Sequence, residues 1–129
     1  MQPFRAAIEA RDTDAVAALL APHVVFRSPV AFRPYEGRAM VAAIVRAVER
    51  VFDTLAYERE MTSADGRDVA LVFRATIGER EVHGCDFLRL GDDGLGEELC
   101  VMVRPASASQ ALAAAMGEQF ERIGREVAG

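Results

Sequence analysis

The sequence predicts an α+β domain, and three observations predict it. Apolar residues recur at helical spacing through the first half, alternate through the second, and return to helical spacing after the last strand. The chain has 129 residues, 51% apolar and 27% charged, a balance that fits one globular domain with its own core rather than a disordered segment. We therefore expect one domain over residues 1–129, with a core at 4–104 and a C-terminal helix at about 107–127.

Taken in order, Phe4–Ala10 and Ala15–Leu20 read as two short helices split at Arg11-Asp12-Thr13-Asp14. Pro3 suits the first turn of the first, and Asp12 or Thr13 can cap the second. Pro22 is expected to stop that second helix. Val24, Val25 and Phe26 then form a short strand that breaks at Ser28-Pro29. A loop over Arg33–Gly37 leads into a third helix, Arg38–Phe52, in which Met40, Ile44, Val48 and Phe52 repeat every fourth residue. After Asp53 the period changes to two. Four strands follow: one marked by Leu55, Tyr57 and Met61, then Val69–Ile77, Val82–Leu90 and Leu99–Arg104. The turns Ala64-Asp65-Gly66, Gly78 and Gly91-Asp92-Asp93-Gly94 join them into an antiparallel meander. Pairing Gly91 with Gly94 would set Asp86 opposite Leu99 and Cys85 opposite Cys100. A bulged turn with Gly94 left-handed would shift this by one. Beyond Pro105, Ser107 and Gln110 form a capping-box pattern, and Leu112, Met116, Phe120, Ile123 and Val127 lie along one side of the last helix.

Long strands twist and curl, so the helix-covered face should become a concavity, and the part left uncovered an apolar pocket. The formal charge is −5 with scattered basic residues, which excludes the basic stripe of a nucleic-acid binder. No apolar run approaches the ~20 residues of a membrane span, and no signal-peptide pattern opens the chain. Two cysteines, Cys85 and Cys100, are too few for a disulfide scaffold or a structural zinc site, and we expect them as thiols in a cytoplasmic protein. No His/Cys/Asp cluster has metal spacing and no glycine-rich phosphate loop occurs, so neither metal nor cofactor is expected.

The chain resembles the nuclear transport factor 2-like superfamily, and within it the SnoaL-like (polyketide cyclase and ketosteroid-isomerase-like) domains. The residues that carry this are Phe4–Asp14 running into Ala15–Pro22, and the strand before Ser28-Pro29. With them go Tyr35-Glu36-Gly37-Arg38 at the third helix and Cys85-Asp86-Phe87-Leu88-Arg89-Leu90 before the last hairpin. The resemblance covers roughly Phe4–Arg104. It implies a cone-shaped fold, N-terminal helices packed on a curved antiparallel sheet, with an extra C-terminal helix. It also implies where isomerase-like groups would stand. Ser28 occupies the place of the carboxylate base, Phe4 that of a tyrosine hydroxyl, and Asp86 that of an acid kept protonated to donate a hydrogen bond. Epoxide-hydrolase-like members would need a second acid on the last strand, where Leu99, Val101 and Val103 offer none.

Asp86 is thus the candidate for any chemistry. It shares a face with Val82, Gly84, Leu88 and Leu90, and a lone carboxylate on an apolar face tends towards a raised pKa. It serves either as a handle for a ligand or as a carboxylate satisfied by Arg74, Tyr57 or a backbone amide. Phe26, Ser28, Tyr35, Tyr57, Phe73, Leu88, Leu99 and Val101 are expected around it as ligand-binding residues, with Tyr35 and Arg33 near the pocket mouth. His23 reads as a surface residue and His83 as lying on the face opposite Asp86. The outer face should show Cys85, Phe87, Cys100 and Met102, too apolar for solvent, which points to a homodimer through that face. The expected function is binding of a small, largely apolar molecule with one polar group near Asp86. The alternatives are a cofactor-independent isomerase, cyclase or hydrolase using Asp86, and a non-catalytic dimeric interaction module.

Overall fold

The computed structural model describes residues 2–128. Two short helices, α1 (Pro3–Glu9) and α2 (Thr13–Ala18), open the chain. The side chain of Gln2 accepts from the Phe4 amide and caps α1, which buries Phe4 and Ala7. Asp12 is the cap of α2, accepting from Ala15 N at 3.1 Å, while the Thr13 hydroxyl donates to Glu49 instead. Pro22 does not stop α2. That helix ends at Ala18, and Pro22 lies inside strand β1 (Leu20–Arg27). The proline is tolerated there because the register of β1 shifts between Leu20 and Val25, so its missing N–H interrupts no regular ladder.

A two-residue strand β2 (Tyr35–Glu36) precedes α3 (Arg38–Val51). The helix buries a broad face of Val41, Ala42, Ala43, Ile44, Val45 and Ala47, and the expected stripe of Met40 and Val48 flanks it, partly buried. At its start, Arg38 donates twice to the Leu20 carbonyl, at 2.9 and 2.7 Å, which ties α3 to β1 and gives that acceptor its partner.

Strands β3 (Thr54–Thr62), β4 (Asp68–Ile77), β5 (Arg80–Leu90) and β6 (Gly96–Arg104) form the expected meander. The six-stranded sheet has the order β2-β1-β6-β5-β4-β3, and β1 runs parallel to β6, so the sheet is mixed rather than wholly antiparallel. The long crossover through α3 allows that pairing, and it sets Phe26 beside Leu99 on the inner face. The register of the last hairpin also differs from expectation. Gly94, at φ 81°, lets the loop run from Gly91 to Leu95, whose carbonyl accepts from the Gly91 amide. A bulge then leaves Glu97 unpaired between Leu90↔Gly96 and Arg89↔Glu98. The two single-residue shifts bring Asp86 opposite Val101 and Cys85 opposite Met102. An even shift keeps every side chain on its face, so Leu99, Val101 and Val103 still share the side of Asp86.

The expected single C-terminal helix is two, α4 (Ala106–Gly117) and α5 (Phe120–Ala128). Gly117, a poor helix former, ends α4, and the break lets α5 turn back and bury Ile123. The capping box at Ser107 and Gln110 is not used: α4 starts a residue earlier, and the Pro105 carbonyl accepts from Ala108 and Ser109. The core lies between α3 and the inner sheet face, where Val24, Val41, Leu71, Phe73 and Val82 are almost wholly buried. Among the described residues, no helix is long and apolar enough to cross a membrane.

Candidate functional site

A row of inward residues crosses the sheet: Tyr57 on β3 pairs with Phe73 on β4, and Phe73 with Gly84 on β5. A Cβ at position 84 would lie 2.3 Å from the Phe73 ring, so that ring can lie over β5 only because residue 84 is glycine. Phe73 in turn meets Tyr57 edge-on, with centroids 6.1 Å apart and planes at 82°. Arg5 on α1 donates to the Tyr57 carbonyl at 3.2 Å and stands 5.9 Å from the centroid of its ring. Held from both sides, the Tyr57 hydroxyl donates to Asp86 Oδ2 at 2.5 Å, from one row along the sheet.

Asp86 is 8% exposed and has a neutral partner. Burial pushes its carboxyl up to about 6, against the opposing effect of the Tyr57 hydrogen bond. Burial also holds the Tyr57 hydroxyl protonated, far above the usual phenol range, and the Asp86 carboxylate adds to that. Of the three partners the sequence left open for Asp86, Tyr57 is the one found. Arg74 points from the other face and pairs with Glu58 at 3.2 Å.

Asp86 and Tyr57 line a cavity of about 90 Å³. The expected residues Phe26, Ser28, Tyr35, Phe73, Leu99 and Val101 line it too, and Asp86 is the one charged side chain among the lining residues described. Leu88 does not. It shares the face of Asp86 but lies towards the hairpin, packed in the core near Gly96 and Leu20. Arg33 is exposed and outside the lining. Phe4 forms part of the wall without a polar atom, and the Ser28 hydroxyl accepts from Val30 N at 3.1 Å, turning the chain at Pro29. Sequence reasoning missed Ile44, Val48, Phe52 and Leu55 as lining, and also Leu112, Met116 and Phe120 from the C-terminal helices. The helical stripe through those last three was visible, but nothing local said what it faced.

His83 lies on the opposite face as expected, with Nε2 3.3 Å from Glu58 Oε1 and Nδ1 3.3 Å from Arg104. His23 is exposed near Glu97. Cys85 and Cys100 are half-buried free thiols, and burial raises that of Cys85. On the same outer face Phe87 is 43% and Met102 59% exposed. The pairs Arg27–Glu98, Arg89–Asp68 and Arg74–Glu58 stand around them. Among the described residues, no three His, Cys, Asp or Glu side chains are grouped to hold a metal ion.

The structure is similar to a steroid delta-isomerase from Pseudomonas aeruginosa at 44% identity and TM-score 0.87, over 92% of this chain and 87% of that one. It is similar to an uncharacterised protein with a cystatin-like fold from Silicibacter pomeroyi at 32% identity and TM-score 0.89, over 95% and 86%. With SalBIII, an epoxide hydrolase/cyclase-like enzyme of pyran ring formation in salinomycin, it shares the fold at 18% identity and TM-score 0.65, over 78% and 84%. No curated protein matches the chain. The model of the SnoaL-like domain matches residues 1–98, and the chain belongs to that family, within the nuclear transport factor 2-like superfamily.

Proposed function

We propose that the protein binds a small, largely apolar molecule through one polar group that meets Asp86. The observation that carries this reading is the buried carboxyl itself. It sits in an apolar cavity with a hydroxyl as its partner, and that bond engages Oδ2, leaving Oδ1 for a ligand. Below pH 6 the protonated acid offers a donor to a carbonyl; above it, the carboxylate offers only acceptors. The name of the isomerase that is 44% identical supports an apolar, ring-containing class of ligand. The cavity of about 90 Å³ supports a much smaller apolar molecule than a steroid, since ligand pockets usually run to roughly 300–1,000 Å³. The free thiols support a cytoplasmic location, and the apolar centre of the outer face, ringed by ion pairs, supports a homodimer.

The test is titration with 2-butanone, followed by NMR. Binding should be tighter at pH 5 than at pH 8, nearly independent of pH in Asp86→Asn, and weaker roughly 5- to 100-fold in Asp86→Ala. Ketone binding equal at both pH values, or unchanged in Asp86→Ala, overturns the reading.

A second reading is proton transfer by Asp86, favoured by its value of about 6, which suits a base working near neutrality. Migration of the double bond in a β,γ-unsaturated ketone, watched by absorbance, should then be catalysed by the parent and abolished in Asp86→Asn. The places of the isomerase base and tyrosine hold Ser28 and Phe4, which supports binding over turnover.

A further inference from the structure

We propose that Met116 and Phe120 set the upper size limit of the ligand, which makes the C-terminal helices the selective wall of the cavity. The inference rests on the pocket reading above and adds what selects among ligands. The family match ends at residue 98, yet Leu112, Met116 and Phe120 line the same cavity as Asp86 and Tyr57. Phe120 is 49% exposed while Asp86 is 8% exposed, so the carboxyl marks the closed end and the Phe120 ring the mouth. The polar end is therefore built by the family domain, and the apolar end is closed by the segment that follows it.

The two helices are attached differently. Helix α4 is held by burial of Ala108, Leu112 and Met116. Among the described residues of α5 only Ile123 is buried, and α5 is tied to α3 by polar contacts. Glu126 takes Arg46 at 3.2 Å and Arg50 at 3.1 Å, one on each oxygen. Arg50 also donates to the Gln119 side chain at 2.8 Å. Gln119 immediately precedes Phe120, so this bond holds the chain where the ring closes the mouth.

The space enclosed sets the ligand class. An apolar cavity of roughly 150 Å³ admits benzene, and about 90 Å³ holds less. A short-chain carbonyl compound fits with its oxygen at Asp86, and a longer tail meets Met116 and then Phe120. Each methylene buried adds roughly fourfold to affinity, so affinity should climb along a homologous series and stop where the tail reaches the wall.

The probes are the linear methyl ketones from 2-butanone to 2-decanone, titrated at pH 5 by NMR into the parent, Phe120→Ala and Phe120→Trp. Phe120 is half-exposed, so neither change removes a core residue. The parent should favour a short member. Phe120→Ala should move the optimum outward by two or more carbons, with a gain of roughly tenfold for the longer ketones. Phe120→Trp should move it inward. Binding of long ketones by Phe120→Ala alone would also support the wall. The same length dependence in all three proteins overturns the wall and leaves the pocket reading standing. Absence of binding in all three, at every length, overturns both.

Discussion

The two faces of the sheet from β3 to β6 handle carboxylates in opposite ways. On the outer face Asp68, Glu58 and Glu98 each stand beside an arginine, in water. On the inner face Asp86 meets only the neutral hydroxyl of Tyr57. Glu126, on α5, shows what cations do. Burial acts to raise it, but the bonds and charges of Arg46 and Arg50 outweigh that and hold it below its ordinary value. Asp86 has no such partner, and its carboxyl is pushed to about 6. Burial alone therefore does not fix a carboxyl's state; the charge of its partner decides whether desolvation wins.

The largest expected contrast is between two phenylalanines. Phe73→Ala empties the inner row and should lower stability by about 3–5 kcal/mol in denaturant unfolding, with loss of the Tyr57 orientation. Phe87→Ala, on the half-exposed outer position, should cost less than about 1 kcal/mol in a monomer. A loss as large as that of Phe73→Ala would mean a second copy covers that face. Phe87→Glu should then give monomers or insoluble protein; sedimentation like the parent would exclude the face as an interface.

Next comes pH. Asp86 rises from 3.8 to about 6 on folding, so the native state binds protons more tightly than the unfolded one between those values. The contribution of the neutral acid is fully present below about pH 4 and is lost as pH climbs through 6, on the order of 3 kcal/mol in total. Asp86→Asn should abolish this loss, matching the parent near pH 4 and exceeding it by up to about 3 kcal/mol at pH 8. A stability deficit at pH 8 would assign the ionised carboxylate a structural anchoring role instead. Smaller again is Tyr57→Phe, which removes the one bond that favours the charged form and should raise the Asp86 midpoint further above 6. An unchanged midpoint would mean the hydroxyl does not sense the carboxylate. Least is Arg27→Ala, an exposed pair with Glu98, expected within about 1 kcal/mol of the parent in thermal unfolding.

Much of this was legible in the sequence because it depends on parity and period. Alternation placed Asp86 with Leu99, Val101 and Val103 and put Phe87 outside, and these assignments survived a register shift of two because faces repeat every second residue. The shift itself was not legible, since it arises from two single-residue irregularities around Gly94 and Glu97. Pro22 misled because it reads as the stop of α2, whereas that helix ends at Ala18 and the proline lies within β1, where the ladder is irregular. That Phe73, Leu99 and Val101 line the cavity was readable from their strands. Leu88 was misread because sharing a face says nothing about position along it. The role of Gly84 and the contact of Met116 and Phe120 with the cavity depend on elements distant in sequence, and no local pattern encodes them.

The central claim is that the Asp86 acid is buried, paired only with a hydroxyl, and able to stay neutral close to physiological pH. The most direct measurement is carboxylate titration by NMR on the unliganded protein, with Asp86→Asn to assign the resonance. The account predicts a midpoint near 6, well above the ordinary aspartate value of 3.8. A midpoint at or below 3.8 would contradict it, because only a solvated or cation-paired side chain titrates there.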